Sequence, residues 1–166
     1  MLSNIISSFS CSINSDIETF LKEKSVRFEK DYISRTYLIT DEEIKNVIAY
    51  YTVAVKSVEF INHDIPKPIL QKLFRRKKGI GHVVAFIIAQ IGRSDKYSSK
   101  DIDGRELIDY SLSTIKEAHD KIGCNFVILD CENSEKLIKI YEDCGFKQFQ
   151  KHPKLENHIQ MYTILT

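Results

Sequence analysis

Apolar residues along the chain switch between two periods, and the switching predicts alternating helices and strands. Ile17, Phe20, Leu21, Lys24 and Phe28 share one helical face behind Ser15-Asp16-Ile17-Glu18. That run reads as a capping box, so a first helix is expected to about Lys30. Arg35–Thr40 and Asn46–Ser57, rich in Tyr, Thr, Val and Ile, flank the polar turn Asp41-Glu42-Glu43 and predict two antiparallel strands. Asp64-Ile65-Pro66 reads as a helix start, with a short helix through Leu70 and Phe74. His82–Gly92 is a nearly continuous apolar run, the pattern of a central strand covered on both faces.

Asp103-Gly104-Arg105-Glu106 is a second capping box. The stripe Ile108, Leu112, Ile115, His119 and Ile122 behind it predicts a long helix closed by Gly123. Asn125–Asp130 predicts a short buried strand. Asn133–Cys144 predicts a helix with Leu137, Ile138 and Tyr141 inward, closed by Gly145. Phe146–Lys151 and His158–Leu165 predict two final strands joined by a turn at Pro153. The order is α-β-β-α-β-α-β-α-β-β. Its strand–helix–strand crossover, from His82 to Asp130, is expected to be right-handed with parallel strands. No repeat, low-complexity tract or Gly/Ser/Pro linker divides the 166 residues, so they read as one domain.

Composition then excludes some functions. A formal net charge of +1 argues against a whole-surface nucleic-acid binder and leaves room for a local basic patch. Arg75-Arg76-Lys77-Lys78 is the dense basic run. No stretch approaches the roughly 18 apolar residues of a membrane span. Met1–Ser15 has no basic residue and no sustained apolar core, so no secretory signal and no membrane partner are expected, and the expected location is cytoplasmic. Cys11, Cys124, Cys131 and Cys144 form no C-x-x-C pair and have no histidine at zinc-finger spacing. They read as reduced thiols, with no metal site expected.

Candidate chemistry gathers where buried strands run into helices, the usual ligand position in layered α/β proteins. One such junction is Ser94–Ile102, leading into the helix at Asp103. Helix N–H groups there suit an anion, with Ser98 and Ser99 as hydroxyl donors and Lys96, Lys100 and Arg105 as cations. The other junction is Asp130-Cys131-Glu132-Asn133-Ser134, whose helix ends Tyr141-Glu142-Asp143-Cys144-Gly145-Phe146.

The run Asn133–Phe146 resembles the N-x-x-A-x-x-x-Y-x-x-x-G-F segment of the GCN5-related N-acetyltransferases (GNAT superfamily). The resemblance implies the GNAT fold, an α/β (α+β mixed) sheet, mostly antiparallel, with one parallel splayed strand pair and flanking helices. It also implies a single acetyltransferase domain over residues 1–166 and acetyl-CoA as co-substrate, with no metal. Tyr141 stands where the family keeps the tyrosine that protonates the departing thiolate. By the same resemblance Ala89-Gln90-Ile91-Gly92-Arg93 offers an exposed edge to the amides of the pantetheine arm. Ile91, Gly92 and Arg93 are therefore expected in cofactor binding, with Gly92 permitting close approach.

The family's phosphate loop, Q/R-x-x-G-x-G/A, falls on Ser99-Lys100-Asp101-Ile102-Asp103-Gly104, where only the last glycine matches. Ser98, Ser99, Lys100, Asp101, Ile102, Asp103, Gly104 and Arg105 are the residues expected at the pyrophosphate, and Asn133 completes the cofactor set. Glu59, His63, His82 and Gln90 fall near the expected acceptor cleft, and none is assigned as general base.

The N-terminal half is similar to toxin-type GNAT proteins. Phe9-Ser10-Cys11-Ser12, Phe20-Leu21, Arg35-Thr36-Tyr37-Leu38 and Ala49-Tyr50-Tyr51-Thr52 follow their Phe-x-Cys-Gly opening, Phe-Leu pair and Gly-Tyr-Tyr-Thr strand, with Ser12 and Ala49 replacing glycines. Such toxins acetylate the aminoacyl moiety of charged tRNA and pair with a small antitoxin. Homodimer formation is a further family habit. The primary expectation is acetyl transfer to a primary amine of an acceptor by direct attack in a ternary complex. Two alternatives stand beside it: acetylation of charged tRNA, and a non-catalytic domain that binds acyl-CoA or a partner.

Overall fold

A computed structural model of the chain describes residues 2–59 and 82–166. The predicted helix at Asp64-Ile65-Pro66, the basic run Arg75-Arg76-Lys77-Lys78 and His63 lie outside these residues. The described chain runs α1 (Leu2–Ser7), α2 (Ser15–Thr19), a π-helical turn (Phe20–Lys24), α3 (Ser25–Lys30), β1 (Arg35–Thr40), β2 (Val47–Glu59) and β3 (His82–Arg93). It continues through α4 (Gly104–Ile122), β4 (Phe126–Glu132), α5 (Glu135–Asp143), β5 (Lys147–Lys151) and β6 (His158–Ile164). The strands form a six-stranded sheet in the order β1-β2-β3-β4-β6-β5, mostly antiparallel with one parallel pair. Among the described residues no helix is long and apolar enough to cross a membrane.

Two compact units divide the chain, and β2, β3 and α4 each contribute to both. The first holds Met1–Ala54 and Ile88–Ile115. Its core closes on Phe9, Leu21, Val47 and Tyr50, all fully buried, with Ile6, Cys11 and Phe20 around them. The motifs that resemble toxin-type proteins do packing work here. Tyr50 meets Phe9 edge-on with ring centroids 5.2 Å apart and donates its hydroxyl to the Ile17 carbonyl at 2.6 Å. Tyr51 stacks on Tyr37 at 5.1 Å and shares a 2.8 Å hydroxyl bond with Thr114. A buried tyrosine keeps such a partner because an unmet hydroxyl in apolar surroundings is costly.

The N-terminal reading needs correction at its cap. Asn14, not Ser15, caps α2, its side chain accepting from the Asp16 N–H at 3.1 Å. Glu18 turns away instead, accepting from the Cys11 N–H at 2.8 Å and from Lys22 at 2.6 Å. The expected single helix is also interrupted by its π turn. Buried Ser25 bonds back to the Leu21 carbonyl at 2.6 Å, a back-bond of the kind that bends helices. Helix α1 had no counterpart in the sequence reading, although Ile6 and Phe9, both buried, are three residues apart.

The second unit holds the described residues of Val55–Ile87 together with Lys116–Thr166. β4 pairs antiparallel with β6 from Phe126↔Ile164 to Glu132↔His158, and β5 flanks β6. Phe126, Phe149 and Tyr162 form an aromatic cluster with centroids 5.5 to 5.7 Å apart. β4 runs two residues past the expected Asp130, because Cys131 and Glu132 stay in register with Ile159 and His158. The central run in β3 is buried at Ala85–Ile88 only, with Val84 54% exposed. In α4 the buried face is Leu107, Ile108, Ser111 and Ile115, while Ile122 is 74% exposed. The predicted stripe therefore leaves the core after Ile115. All four cysteines are free.

Candidate active site

The first predicted junction lies in the first unit. Ile102, standing where the family has its first loop glycine, is buried against Ala49 and Leu107, with Ile39, Ile48 and Ile91 around them. Its side chain anchors a loop that glycine would leave free. Arg93 fastens the same place by donating to the Ile102 carbonyl at 2.7 Å. Gly92 has a structural requirement of its own, since a Cβ there would lie 2.5 Å from Ile17 Cγ2. At Gly104 an added Cβ would meet nothing within 4 Å, so this helix start is open.

The loop's polar groups largely satisfy one another. Asp101 Oδ2 accepts from the Ser98 N–H at 2.7 Å and from the Ser98 hydroxyl at 2.8 Å. These bonds hold the Asp101 carboxyl below its ordinary range. Ser98 Oγ accepts in turn from the Lys100 N–H at 3.2 Å, and the Asp101 N–H bonds the Ser98 carbonyl. The predicted capping box is realised: Asp103 Oδ1 accepts from the Arg105 and Glu106 N–H groups at 2.7 and 2.9 Å, and Glu106 Oε2 accepts from the Asp103 N–H at 3.0 Å. Carboxylates of the chain itself thus occupy several of the N–H groups that an anion would use. Ser99, Lys100 and Arg105 are exposed beside them, and Lys96 is exposed earlier in the same loop.

The second junction lies in the second unit. Ser134 begins α5 in extended conformation, and the helix ends at Gly145, whose φ of 86° is the left-handed value that glycine adopts freely. The N–H groups of Cys144 and Phe146 both bond the Tyr141 carbonyl at 3.0 Å, which fixes the last turn. Tyr141 is half-buried and meets Phe146 edge-on at 6.2 Å. Burial, then the Cys131 and Cys144 thiols, push its hydroxyl up to about 12. The hydroxyl has no hydrogen-bond partner among the described residues. Tyr141 is therefore a proton holder across the neutral range, suited to donate and not to abstract. Asn133 is exposed, and its N–H bonds the Asn157 carbonyl at 2.8 Å.

Sequence reasoning missed a polar network in the same unit. Asp130, Gln160 and Gln150 occupy partnered positions across β4, β6 and β5. Gln160 donates to Asp130 Oδ1 at 2.7 Å, and Gln150 donates to Gln160 Oε1 at 2.7 Å and to the Glu59 carbonyl at 2.8 Å. Lys56 Nζ and His152 Nε2 each lie 3.5 Å from Asp130 Oδ2. His152 Nδ1 accepts from the Lys154 and Leu155 N–H groups, which leaves the ring proton on Nε2, toward Asp130. Burial holds the His152 pKa below its ordinary value against the opposing pull of Asp130, so the ring that faces Asp130 at 3.5 Å is a neutral one. The available signal was the glutamines inside two otherwise mixed strands, Gln148 and Gln150 in β5 and Gln160 in β6. Among the candidate bases, Glu59 and His82 are exposed and Gln90 is half-buried. No group of His, Cys, Asp or Glu among the described residues could hold a metal ion.

No family model matches the sequence. The six-stranded, mostly antiparallel sheet with its single parallel pair and flanking helices is the fold of the GCN5-related N-acetyltransferases. The proteins that the chain is similar to are toxins. It is 28% identical over 143 residues to a probable toxin TacT from Sinorhizobium fredii, covering 82% of this chain and 75% of the relative. AtaT complexed with acetyl-methionyl-tRNAfMet superposes with a TM-score of 0.73 at 18% identity, over 96% of this chain and 86% of that one. A tyrosine-to-phenylalanine mutant of the AtaT toxin, bound to the C-terminus of the antitoxin AtaR and acetyl-CoA, gives a TM-score of 0.66 at 16% identity. That match covers 93% of this chain and 83% of the other. At these identities the two structures speak to fold.

Proposed function

We propose that the chain is an acetyl-CoA-dependent N-acetyltransferase of toxin type, whose acceptor is the α-amine of the aminoacyl group on charged tRNA. The observation that carries the reading is Tyr141, a half-buried hydroxyl held in the protonated form at the end of α5. Acetyl-CoA supplies an activated acetyl group on sulfur. Tyr141 gives its proton at Oη as the carbon–sulfur bond breaks, and the amine forms the new carbon–nitrogen bond while its surplus proton passes to solvent. An α-amine ionises near roughly 7.7–8.0, so a useful fraction is already neutral without a dedicated base. This suits a chain in which no base is assigned.

Similarity to the probable toxin TacT, and the tRNA, antitoxin and acetyl-CoA held by AtaT structures, support this acceptor over a generic amine. An antitoxin protein as partner belongs to the same proposal. Gly104, Ser98, Ser99, Lys100 and Arg105 offer an open helix start, hydroxyls and cations for phosphate, with Arg93, Asp101, Ile102 and Asp103 shaping the loop. Ile91, Gly92 and Asn133 complete the proposed cofactor set.

The test is acetyl transfer from acetyl-CoA to charged tRNA, deacylated tRNA, free amino acids and polyamines. Transfer confined to charged tRNA is expected, with Tyr141→Phe slower by about 10²–10⁴-fold, the usual worth of a positioned proton donor. Equal or faster transfer to free amines would refute the acceptor. A Tyr141→Phe variant of wild-type rate would refute the proton donor.

A further inference from the structure

We infer that Asp130 is the binding group for the acceptor's primary ammonium, with Gln160 and His152 as the residues that hold it in place. The inference rests on the charged-tRNA reading and deepens it. Its first support is the cost of the arrangement. Gln150 and Gln160 are 6% and 1% exposed, and their ladder positions align with Asp130 across three strands. Apolar side chains of similar volume are often as stable in such places or more so, and buried polar groups must be fully bonded to be tolerated. A chain of amides from the Glu59 carbonyl to Asp130 Oδ1 fixes one carboxylate oxygen.

The second support is the state of the other oxygen. Oδ1 receives a 2.7 Å bond, whereas the two donors to Oδ2 among the described residues each lie at 3.5 Å, beyond the 2.7–3.2 Å range of a good N–H···O bond. The Asp130 side chain is 21% exposed, so Oδ2 can be reached. A group with several N–H donors and a positive charge is its natural complement, and a primary ammonium supplies three. His152 cannot leave its place, because Nδ1 binds two backbone N–H groups of the turn after β5. Lys56 can leave, being 41% exposed on a flexible stem, and it is itself a primary ammonium. Lys56 therefore marks the position of the acceptor amine, which replaces it like for like as the ammonium and releases one proton to solvent before it attacks.

The experiment is steady-state kinetics on the charged tRNA that wild type acetylates fastest, comparing wild type, Asp130→Asn and Lys56→Met. For Asp130→Asn the acceptor KM is expected to rise about tenfold or more, the factor for one lost charge-assisted hydrogen bond, with the KM for acetyl-CoA unchanged. For Lys56→Met, an exposed change that spares folding, the acceptor KM is expected to fall about two- to fivefold as the competing ammonium is removed. An unchanged acceptor KM in soluble Asp130→Asn, or an unchanged or raised one in Lys56→Met, overturns the assignment while transfer by wild type leaves the enzyme reading standing. Failure of wild type to acetylate any charged tRNA overturns the parent reading and this one together.

Discussion

Two polar networks, the loop from Ser98 to Glu106 and the sheet face around Asp130, use the same bonds and differ in reach. In the loop, apart from the Arg93 bond to the Ile102 carbonyl, the side-chain bonds named above join residues two or three apart, and the participants are largely exposed. On the sheet face the partners are separated by 10, 30, 74 and 91 positions, and the linking amides are buried. The loop network orders a local turn that water could satisfy nearly as well. The sheet network ties separate strands together through two buried amides, so breaking it leaves orphaned polar groups. One is a trim on a helix start. The other is a structural commitment.

That contrast can be broken most forcibly at Gln160. Gln160→Leu removes the donor to Asp130 and the acceptor for Gln150 at once. A loss of about 2–4 kcal/mol is expected in urea unfolding, since buried Gln150 and half-buried Asp130 both lose a bond. A change below about 0.5 kcal/mol would show that the sheet network is no costlier to break than the loop. In the loop, Asp103→Ala is expected to cost about 1 kcal/mol, the usual worth of a helix cap. Removal of its carboxylate from the helix start is also expected to tighten acetyl-CoA about two- to fivefold, as 0.3–1 kcal/mol of charge–dipole interaction implies. Weaker cofactor binding in that variant, measured by calorimetry, would mean that the Asp103 carboxylate serves the cofactor and does not compete with it.

The smallest expected effect separates the regions by pH. His152 has a folded pKa below its ordinary value of about 6.5, so the unfolded chain takes up its proton first on acidification. Its contribution is complete above about pH 6.5 and is lost as pH falls below that value. Asp101 is shifted the same way from a lower start, and its contribution survives until pH falls below about 4. Melting temperature should therefore decline as pH falls below about 6.5, and His152→Gln should flatten that decline. An unchanged decline in that variant would remove His152 as its source.

The same difference in reach explains what the sequence revealed. Local bonds are written locally: Asp103-Gly104-Arg105-Glu106 announced its own capping box, and Gly145 its helix end. β1 was legible residue for residue because its turn, at Asp41, folds on itself, the carboxylate accepting from the N–H groups of Lys45 and Asn46. Asp130 was taken as the end of a strand and start of a turn, because nothing near it announces Lys56 or Gln160. Its role comes from register. Ser15 was misread as a cap for a related reason, since Glu18 prefers the Cys11 N–H, seven residues back, to its own helix start. The loop before Gly104 departs from the family's glycine pattern, and Ile102 shows why such a departure folds: a buried side chain does the ordering.

The central claim, that this fold carries acetyl transfer with Tyr141 as proton donor to an aminoacyl acceptor, is tested most directly by one reaction. Charged tRNA is incubated with acetyl-CoA and wild type or Tyr141→Phe, and the aminoacyl end is read by mass spectrometry. The account predicts one acetyl group on the α-nitrogen with wild type and a rate lower by about 10²–10⁴-fold with the variant, at unchanged melting temperature. An unmodified α-nitrogen with wild type, in the presence of bound acetyl-CoA, would contradict it.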